Sequence, residues 1–158
     1  MARTPSPPKK ATRQHTKQHN ARLVLKTIYE AGDVSRADLA RMTGLTRATV
    51  SSIVAGYLDK GIVAETGYGP SLGGKPPIML SMVADARQLI CLDLGNEQFA
   101  GALVNLRGQF EKQISLPVDG RTSQDALDLV YKLVDQLLAN VTAPVLGMAL
   151  GSPGLIDA

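Results

Sequence analysis

Cysteine and long apolar runs are scarce in this 158-residue chain, and both absences exclude classes of protein. The one cysteine, Cys91, can form neither an internal disulfide nor a cluster of cysteine ligands, and its apolar surroundings predict a buried core thiol. No stretch reaches the roughly 18 consecutive apolar residues that a membrane helix needs. Residues 1–19 also lack the apolar segment of a secretory signal. We therefore expect a cytoplasmic protein with no membrane partner.

Acidic residues are missing from the amino terminus, since the first acid of the chain is Glu30. Residues 1–75 hold 12 basic and 5 acidic residues, a net charge of +7, whereas the remainder holds 5 basic and 9 acidic residues, a net charge of −4. This asymmetry predicts that one half of the chain meets a polyanion. Residues 1–19 contain three prolines and no apolar periodicity, so we expect a disordered basic tail there.

Three helices are predicted after this tail. The first spans Asn20–Ala31. Ser35 is the expected N-cap of the second helix, and Thr46 is the expected N-cap of the third, which ends at Gly61. Apolar residues spaced i, i+3, i+4, i+7 and i+8 predict that one face of the third helix is buried: Val50, Ile53, Val54, Tyr57 and Leu58.

The turn before the third helix and the polar start of that helix are typical of a helix-turn-helix. Gly44 supplies the positive φ that the turn between Thr43 and Leu45 needs. The face opposite the buried stripe carries hydroxyls and one guanidinium: Thr46, Arg47, Thr49 and Ser52. In a major groove, we expect Thr46 to hold the helix end near a phosphate and the other three to contact base edges. A helical hairpin with a solvated face and a protein-binding module are the alternatives, although the latter would present apolar side chains.

Two short strands around a loop rich in glycine and proline follow the third helix, and they predict a β-hairpin wing. The strands are residues 62–66 and 78–82, and the loop between them carries Lys75 and no acid. Lys75 can therefore approach a phosphate or a minor groove. The order helix, helix, helix, wing predicts a winged helix-turn-helix domain over residues 20–83.

Two other motifs are similar to ligand sites but lack residues that those sites need. Residues 69–75 fit the first seven positions of a phosphate-binding P-loop, but Pro76 stands where the magnesium-binding Ser or Thr belongs. His15 and His19 are four residues apart, which suits a metal ion on a helix, but no Cys or acid lies nearby. We therefore expect neither a P-loop nor a metal site.

Residues 84–158 differ in composition and predict a mixed sheet covered by one helix. Strands are predicted over residues 89–94, 99–106, 109–116 and 145–150. Ser123 is the expected N-cap of a helix that runs to about Asn140 and buries one stripe: Leu127, Val130, Leu133, Val134, Leu137 and Leu138. The last strand leaves the sheet open, so we expect this second domain to be incomplete. The expected fold class of the whole chain is α+β.

Four features in this order resemble the ROK family, which comprises repressors, open reading frames and sugar kinases. They are the winged helix, the wing loop GPSLGGKPP, the strand end Asp93-Leu94-Gly95 and the segment Gly151–Asp157. The resemblance covers about residue 20 to the end. It implies the amino-terminal part of a xylose-repressor-like or N-acetylglucosamine-repressor-like regulator, with a truncated α/β actin-like (sugar-kinase-type) fold in residues 84–158.

The resemblance also bears on catalysis. ROK kinases show an Asp-x-Gly-Gly-Thr pattern at the first strand turn, where backbone amides and a hydroxyl hold ATP phosphate. Here Asp93 and Gly95 remain, but Asn96 and Glu97 replace the second Gly and the Thr. A carboxylate at that point repels phosphate. We therefore interpret Asp93, Gly95 and Asn96 as the remnant of a degenerate phosphate loop and expect no enzyme activity and no cofactor in this chain.

The function expected from the residues and the resemblance together is sequence-specific binding of duplex DNA. The resemblance implies a repressor of carbohydrate-utilisation genes that responds to a sugar, whose full-length relatives bind zinc and a sugar effector. Because DNA-reading helices act in symmetric pairs, we expect an inverted-repeat operator and a homodimer or larger assembly at full length. The alternative is a fragment of a ROK-type sugar kinase with an added amino-terminal domain.

Overall fold

The computed structural model describes residues 13–70 and 73–153 of the chain. They divide into two compact units, with the division between Met82 and Val83. The first unit holds three helices and a three-stranded sheet, and the second holds a four-stranded sheet and one α-helix. This combination of helices with largely antiparallel sheets confirms the predicted α+β class.

The first unit has the element order of a winged helix-turn-helix. Its helices are α1 (Arg13–Ala31), α2 (Arg36–Thr43) and α3 (Arg47–Asp59). Its strands are β1 (Val34–Ser35), β2 (Val63–Tyr68) and β3 (Ile78–Met82). The strand order is β1-β3-β2, with β3 antiparallel to both neighbours. The hairpin of β2 and β3 is the predicted wing.

Helix α1 begins at Arg13, seven residues before the predicted start at Asn20. The prediction of disorder is therefore wrong for residues 13–19, while residues 1–12 lie outside the described part of the chain. These first turns are polar and show no apolar periodicity. They extend a helix whose later turns are held in the core by Val24 and Ile28, and Arg, Gln and Lys are good helix formers. The available signal was the absence of Gly and Pro from residues 9–31.

Strand β1 has only two residues and was not predicted, because so short a segment carries no periodicity. Val34 pairs with Leu80 and Ser35 pairs with Met79. Both β1 residues are buried. The pairing ties the start of α2 to β3, the central strand of the three-stranded sheet, so that α2 and the wing are held in a fixed relation.

The core of the first unit lies between the three helices and β3. Fully buried side chains come from all four elements: Val24 and Ile28 on α1, Leu39 on α2, Val50 and Val54 on α3, and Leu80 on β3. The remaining members of the predicted α3 stripe, Ile53, Tyr57 and Leu58, pack against this core while partly buried. The predicted orientation of α3 is therefore confirmed, and it leaves the face with Arg47 and Ser52 exposed.

The second unit is a mixed sheet with one α-helix. Its strands are β4 (Gln88–Leu94), β5 (Gln98–Asn105), β6 (Phe110–Pro117) and β7 (Val145–Gly151), and its helix is α4 (Ser123–Leu138). The strand order is β6-β5-β4-β7, in which β7 runs parallel to β4 and the other pairs are antiparallel. A short 3₁₀ turn, Ala84–Ala86, precedes β4.

Helix α4 packs on the sheet through a stripe that the sequence located only in part. Leu129, Leu133 and Leu137 are buried at spacings of four, and Val130 and Val134 pack beside them. The prediction of burial is wrong for two residues of the expected stripe, since Leu127 is 43% exposed and Leu138 is 48% exposed. The face that meets the sheet is centred on Leu133, and both wrong positions lie well round the helix from that centre.

Two further predictions in the second unit are wrong. Ser123 is the first residue of α4, not its cap, and Thr122 at the cap position makes no side-chain cap hydrogen bond. Cys91 is half-buried instead of buried, because it points away from α4 into an open cavity of about 290 Å³ on the other face of the sheet. In the described ranges, α4 covers only one face of this sheet.

Strand β7 lies at the edge of the sheet and is exposed along its length. Leu146, Met148 and Leu150 each expose more than half of their surface. The strand is anchored at its start by the buried Gln88, whose Oε1 accepts hydrogen bonds from the backbone N–H groups of Thr142 and Ala143, both at 2.9 Å. In the described residues, β7 therefore leaves one edge of the sheet unpaired.

Candidate nucleic-acid interface

Helix α2 starts with a side-chain cap that fixes its direction. The Oγ of Ser35 accepts a hydrogen bond from the backbone N–H of Asp38 at 3.2 Å and donates one to the Asp38 carboxylate at 2.7 Å. The Arg41 guanidinium contacts the same carboxylate at 3.0 Å. The hydrogen bond from Ser35 and then the one from Arg41 lower the pKa of Asp38 below its ordinary value. The predicted capping role of Ser35 is confirmed.

The turn between α2 and α3 is held by one glycine and one hydroxyl. Gly44 has φ 68° and occupies the left-handed conformation at the end of α2, as predicted. The Thr43 hydroxyl donates to the Leu39 carbonyl at 2.6 Å and accepts a weaker contact from the Leu45 N–H at 3.4 Å. The three turn residues therefore lie where the sequence placed them, and they fix the angle at which α3 leaves α2.

The start of α3 is capped by Thr46, as predicted. Its Oγ1 accepts a hydrogen bond from the Thr49 N–H at 3.2 Å, and the Thr46 and Thr49 hydroxyls lie 2.9 Å apart. Arg47 and Ser52 are exposed in the first half of α3, and neither makes an ion pair or side-chain hydrogen bond within the described ranges. Arg47 and Ser52 are thus two polar groups of α3 that are free to meet a ligand.

Helix α3 is also tied to α1 by a polar contact. The Tyr57 hydroxyl donates to the Ala21 carbonyl at 2.8 Å, and burial raises the pKa of Tyr57. Beyond this contact, the amino-terminal turns of α1 border an open cleft of about 410 Å³ lined by Lys17, Asn20, Ala48, Thr49, Ser52 and Ile53. Sequence analysis did not predict that Lys17 and Asn20 are neighbours of α3, because it placed Lys17 in the disordered tail.

The wing brings Lys75 to the start of α2 and not to α3. A second cleft, of about 280 Å³, is lined by the first residues of α2 and the base of the wing: Ser35, Arg36, Ala37, Lys75, Pro76, Pro77 and Ile78. Arg36 forms an ion pair with Glu65 of β2 at 2.9 Å, which joins α2 to the wing. Lys75 itself is exposed, while Ser71 and Leu72 of the same loop lie outside the described residues.

The arrangement of the first unit corresponds to a known family. Residues 18–64 match the winged helix-turn-helix DNA-binding family. Over 146 residues the chain is 32% identical to the xylose repressor of Caldicellulosiruptor bescii, covering 89% of this chain and 36% of the relative. It is 29% identical over 150 residues to the xylose repressor of Bacillus subtilis, covering 93% and 39%. It is 25% identical over 146 residues to the transcriptional dual regulator NagC of Escherichia coli, covering 89% and 36%.

A solved structure extends the similarity through both units. The crystal structure of a ROK family transcriptional regulator, a homologue of the Escherichia coli Mlc protein, matches 91% of this chain with a TM-score of 0.72 and 25% identity. The match covers 37% of that longer chain. The chain is homologous to ROK-family regulators. It spans between a third and two fifths of the length of the curated xylose repressors it matches.

The residues interpreted above as a degenerate phosphate loop lie at the end of β4 and in the turn that follows it. Asp93 is exposed and sits between Ala100 of β5 and Gly151 of β7 in the sheet register. A Cβ on Gly95 would lie 3.0 Å from the Gln98 carbonyl, so a side chain there would be crowded against the turn. Asn96 and Glu97 are exposed in the same turn. Of the segment Gly151–Asp157, residues 154–157 lie outside the described part.

Neither a metal-binding cluster nor a membrane-spanning helix occurs in the described ranges. Those ranges hold no group of three or more His, Cys, Asp or Glu side chains that could bind a metal ion. No helix in them is both long and apolar enough to cross a bilayer.

Proposed function

We propose that the chain binds duplex DNA in a sequence-specific way through its first unit. The observation that carries this proposal is the free polar surface at the start of α3, on a helix whose opposite face is locked into the core. A rigid helix of this kind can enter a major groove and hold side chains at fixed positions relative to base edges. The net charge of +7 on residues 1–75 favours the same polyanionic partner.

The side chains divide into two roles in this proposal. Arg47 and Ser52 contact base edges, since both are exposed and free of internal partners. The Thr49 hydroxyl contacts Thr46 and can form one more hydrogen bond to a base edge. Thr46 holds the helix end near a phosphate. Lys75 contacts the backbone from the wing, next to the start of α2. Arg can form a bidentate pair with guanine, whereas Lys acts on phosphate as a point charge.

We further propose that the whole protein is a bacterial, cytoplasmic repressor of carbohydrate-utilisation genes that responds to a sugar. The names of its relatives, xylose repressor and dual regulator NagC, support this assignment. In this proposal the first unit reads the operator and the second belongs to a larger sugar-sensing domain. A full-length homodimer or larger assembly would place two α3 helices on an inverted repeat.

Kinase activity is not part of the proposal. The turn that would hold ATP phosphate carries Asn96 and the carboxylate of Glu97, and a fixed negative charge there opposes phosphate binding. The repressor names of the relatives support the same conclusion.

The proposal is tested by incubating the purified chain with random duplexes at near-physiological salt and sequencing what stays bound. Enrichment of an inverted repeat would identify the operator and support a dimeric reader. Enrichment of a single half-site would support a reader that acts as a monomer at this chain length. Retention of DNA without enrichment would contradict sequence-specific binding, because it would mean that the basic side chains bind the phosphate backbone non-specifically.

A further inference from the structure

The cleft between α1 and α3 joins two sets of polar side chains that lie far apart in the sequence. Lys17 and Asn20 come from the first turns of α1, and Thr49 and Ser52 come from the start of α3. Lys17 and Asn20 are three residues apart on a helix, so they lie on the same face of α1. Two of the side chains proposed to read DNA therefore share one surface with α1.

The position of α1 at this surface is fixed by packing. The hydrogen bond from Tyr57 to the Ala21 carbonyl, 2.8 Å long, holds the residue next to Asn20 against α3. Val24 and Ile28 are fully buried one and two turns further along α1. A helix clamped in this way presents Lys17 at a set distance from α3, with no need for a flexible segment to fold on a ligand.

The charge of the cleft suits phosphate. No acid lines it, and none occurs in the chain before Glu30. Lys17 is exposed and makes no ion pair within the described residues, and Asn20 is half-buried with an amide group that can donate hydrogen bonds. A lysine and an amide beside a major-groove helix are the groups that contact the sugar-phosphate backbone flanking the bases being read.

We propose that Lys17 and Asn20 bind a phosphate of the duplex backbone beside the groove that α3 enters. The inference rests on the proposed DNA-binding function and adds a contact from α1 to it. Lys17 neutralises the phosphate and Asn20 donates a hydrogen bond to it, so the pair sets the register of α3 without reading any base. Part of the segment that sequence analysis assigned to a disordered tail is thus a rigid component of the interface.

The test compares two lysines of α1. Lys17→Ala removes the proposed contact, whereas Lys26→Ala removes the same charge from roughly the opposite side of the helix, nine residues later. Lys26 is 71% exposed and pairs with Glu30. Affinities of both variants and of the wild-type chain are measured on the selected duplex and on a scrambled duplex, between 50 and 200 mM salt. Circular dichroism checks that helix content is unchanged.

We expect Lys17→Ala to weaken binding to both duplexes by the same factor. It should also reduce by about one the magnitude of the salt slope, which is the slope of the logarithm of the binding constant against the logarithm of the salt concentration. The affinity deficit of this variant should then be about 3.5-fold larger at 50 mM than at 200 mM salt, from the loss of one phosphate contact. Lys26→Ala should leave the slope unchanged. Asn20→Ala should weaken both duplexes without changing the slope, since it removes no charge.

Two other results would overturn the inference, and they differ from a failure of the proposed function. Equal effects of Lys17→Ala and Lys26→Ala would mean that α1 contributes only general charge. A loss confined to the selected duplex would assign Lys17 to a base instead of a phosphate. A wild-type chain with no preference for any duplex would instead overturn sequence-specific binding itself, before the variants are compared.

Discussion

At the scale of single residues, Arg47 is the side chain that we propose to contribute most to sequence specificity. It is exposed, unpaired within the described ranges and one residue beyond the Thr46 cap. We expect Arg47→Ala to cost about 1–3 kcal/mol of binding free energy on the selected duplex and to relax the preference at one base pair. The check is a titration of the variant against duplexes with each base substituted in turn.

The conservative variant separates the roles of Arg47. Arg47→Lys retains the charge but loses the bidentate fork, so it should restore the salt slope without restoring the base preference. If Arg47→Ala weakened every duplex equally, Arg47 would contact phosphate and not a base.

Asp38 provides a prediction about pH. The hydrogen bond from Ser35 and the contact with Arg41 lower its pKa in the folded state, so the folded protein favours the ionised form. The stabilisation is therefore present above the ordinary Asp pKa of 3.8 and is lost as the pH falls through the lower, folded value. The carboxylate is 44% exposed, so we expect about 0.5 kcal/mol at most.

The measurement compares wild type with Asp38→Asn in urea denaturation from pH 3 to pH 7. The difference in unfolding free energy should be constant near neutral pH and should shrink towards the acid end. A difference that grew on acidification would contradict the assigned cause.

At the scale of elements, the approach of α4 to β5 depends on Gly101. A Cβ added there would lie 2.7 Å from Cδ1 of Leu137 and 3.2 Å from Leu133, both of which are fully buried. Gly101→Ala should therefore force the buried Leu137 side chain, or α4 with it, to shift and cost about 1–3 kcal/mol of unfolding free energy. The measurement is the urea midpoint of the second unit, followed by circular dichroism.

A matched control exists on β7. A Cβ on Gly147 meets no atom within 4 Å, so Gly147→Ala should leave the midpoint nearly unchanged. Equal shifts for the two variants would show that the loss of glycine flexibility, and not the contact with Leu137, determines the effect.

At the scale of the whole molecule, the residues of the turn after β4 provide a test of the sugar-kinase alternative. We expect no hexose-dependent ATP hydrolysis in a coupled assay with assorted hexoses, because Glu97 places a carboxylate where phosphate would bind. Hexose-dependent turnover above a heat-denatured control would favour the kinase alternative and contradict the regulator proposal.

The local elements of this fold were predictable to different degrees. The caps at Ser35 and Thr46 and the left-handed Gly44 were predicted, because each depends on a few adjacent residues. The prediction of disorder for residues 13–19 was wrong, because apolar periodicity cannot show that a helix continues into polar turns that do not pack against the core. The α3 residues of the candidate interface could be identified from the sequence pattern. The proximity of Lys17 and Asn20 to α3 could not, because it depends on how α1 packs against α3.

The sequence by itself determined which segments are helices and strands around α2, α3 and the wing, and where the positive charge lies. Spacing, capping and composition are local properties that a chain carries before it folds. Only the tertiary structure decided that β1 joins the wing, that Gln88 is buried as an anchor for β7, and that Leu129 rather than Leu127 faces the sheet. These outcomes depend on contacts between segments distant in the chain, which no local pattern records.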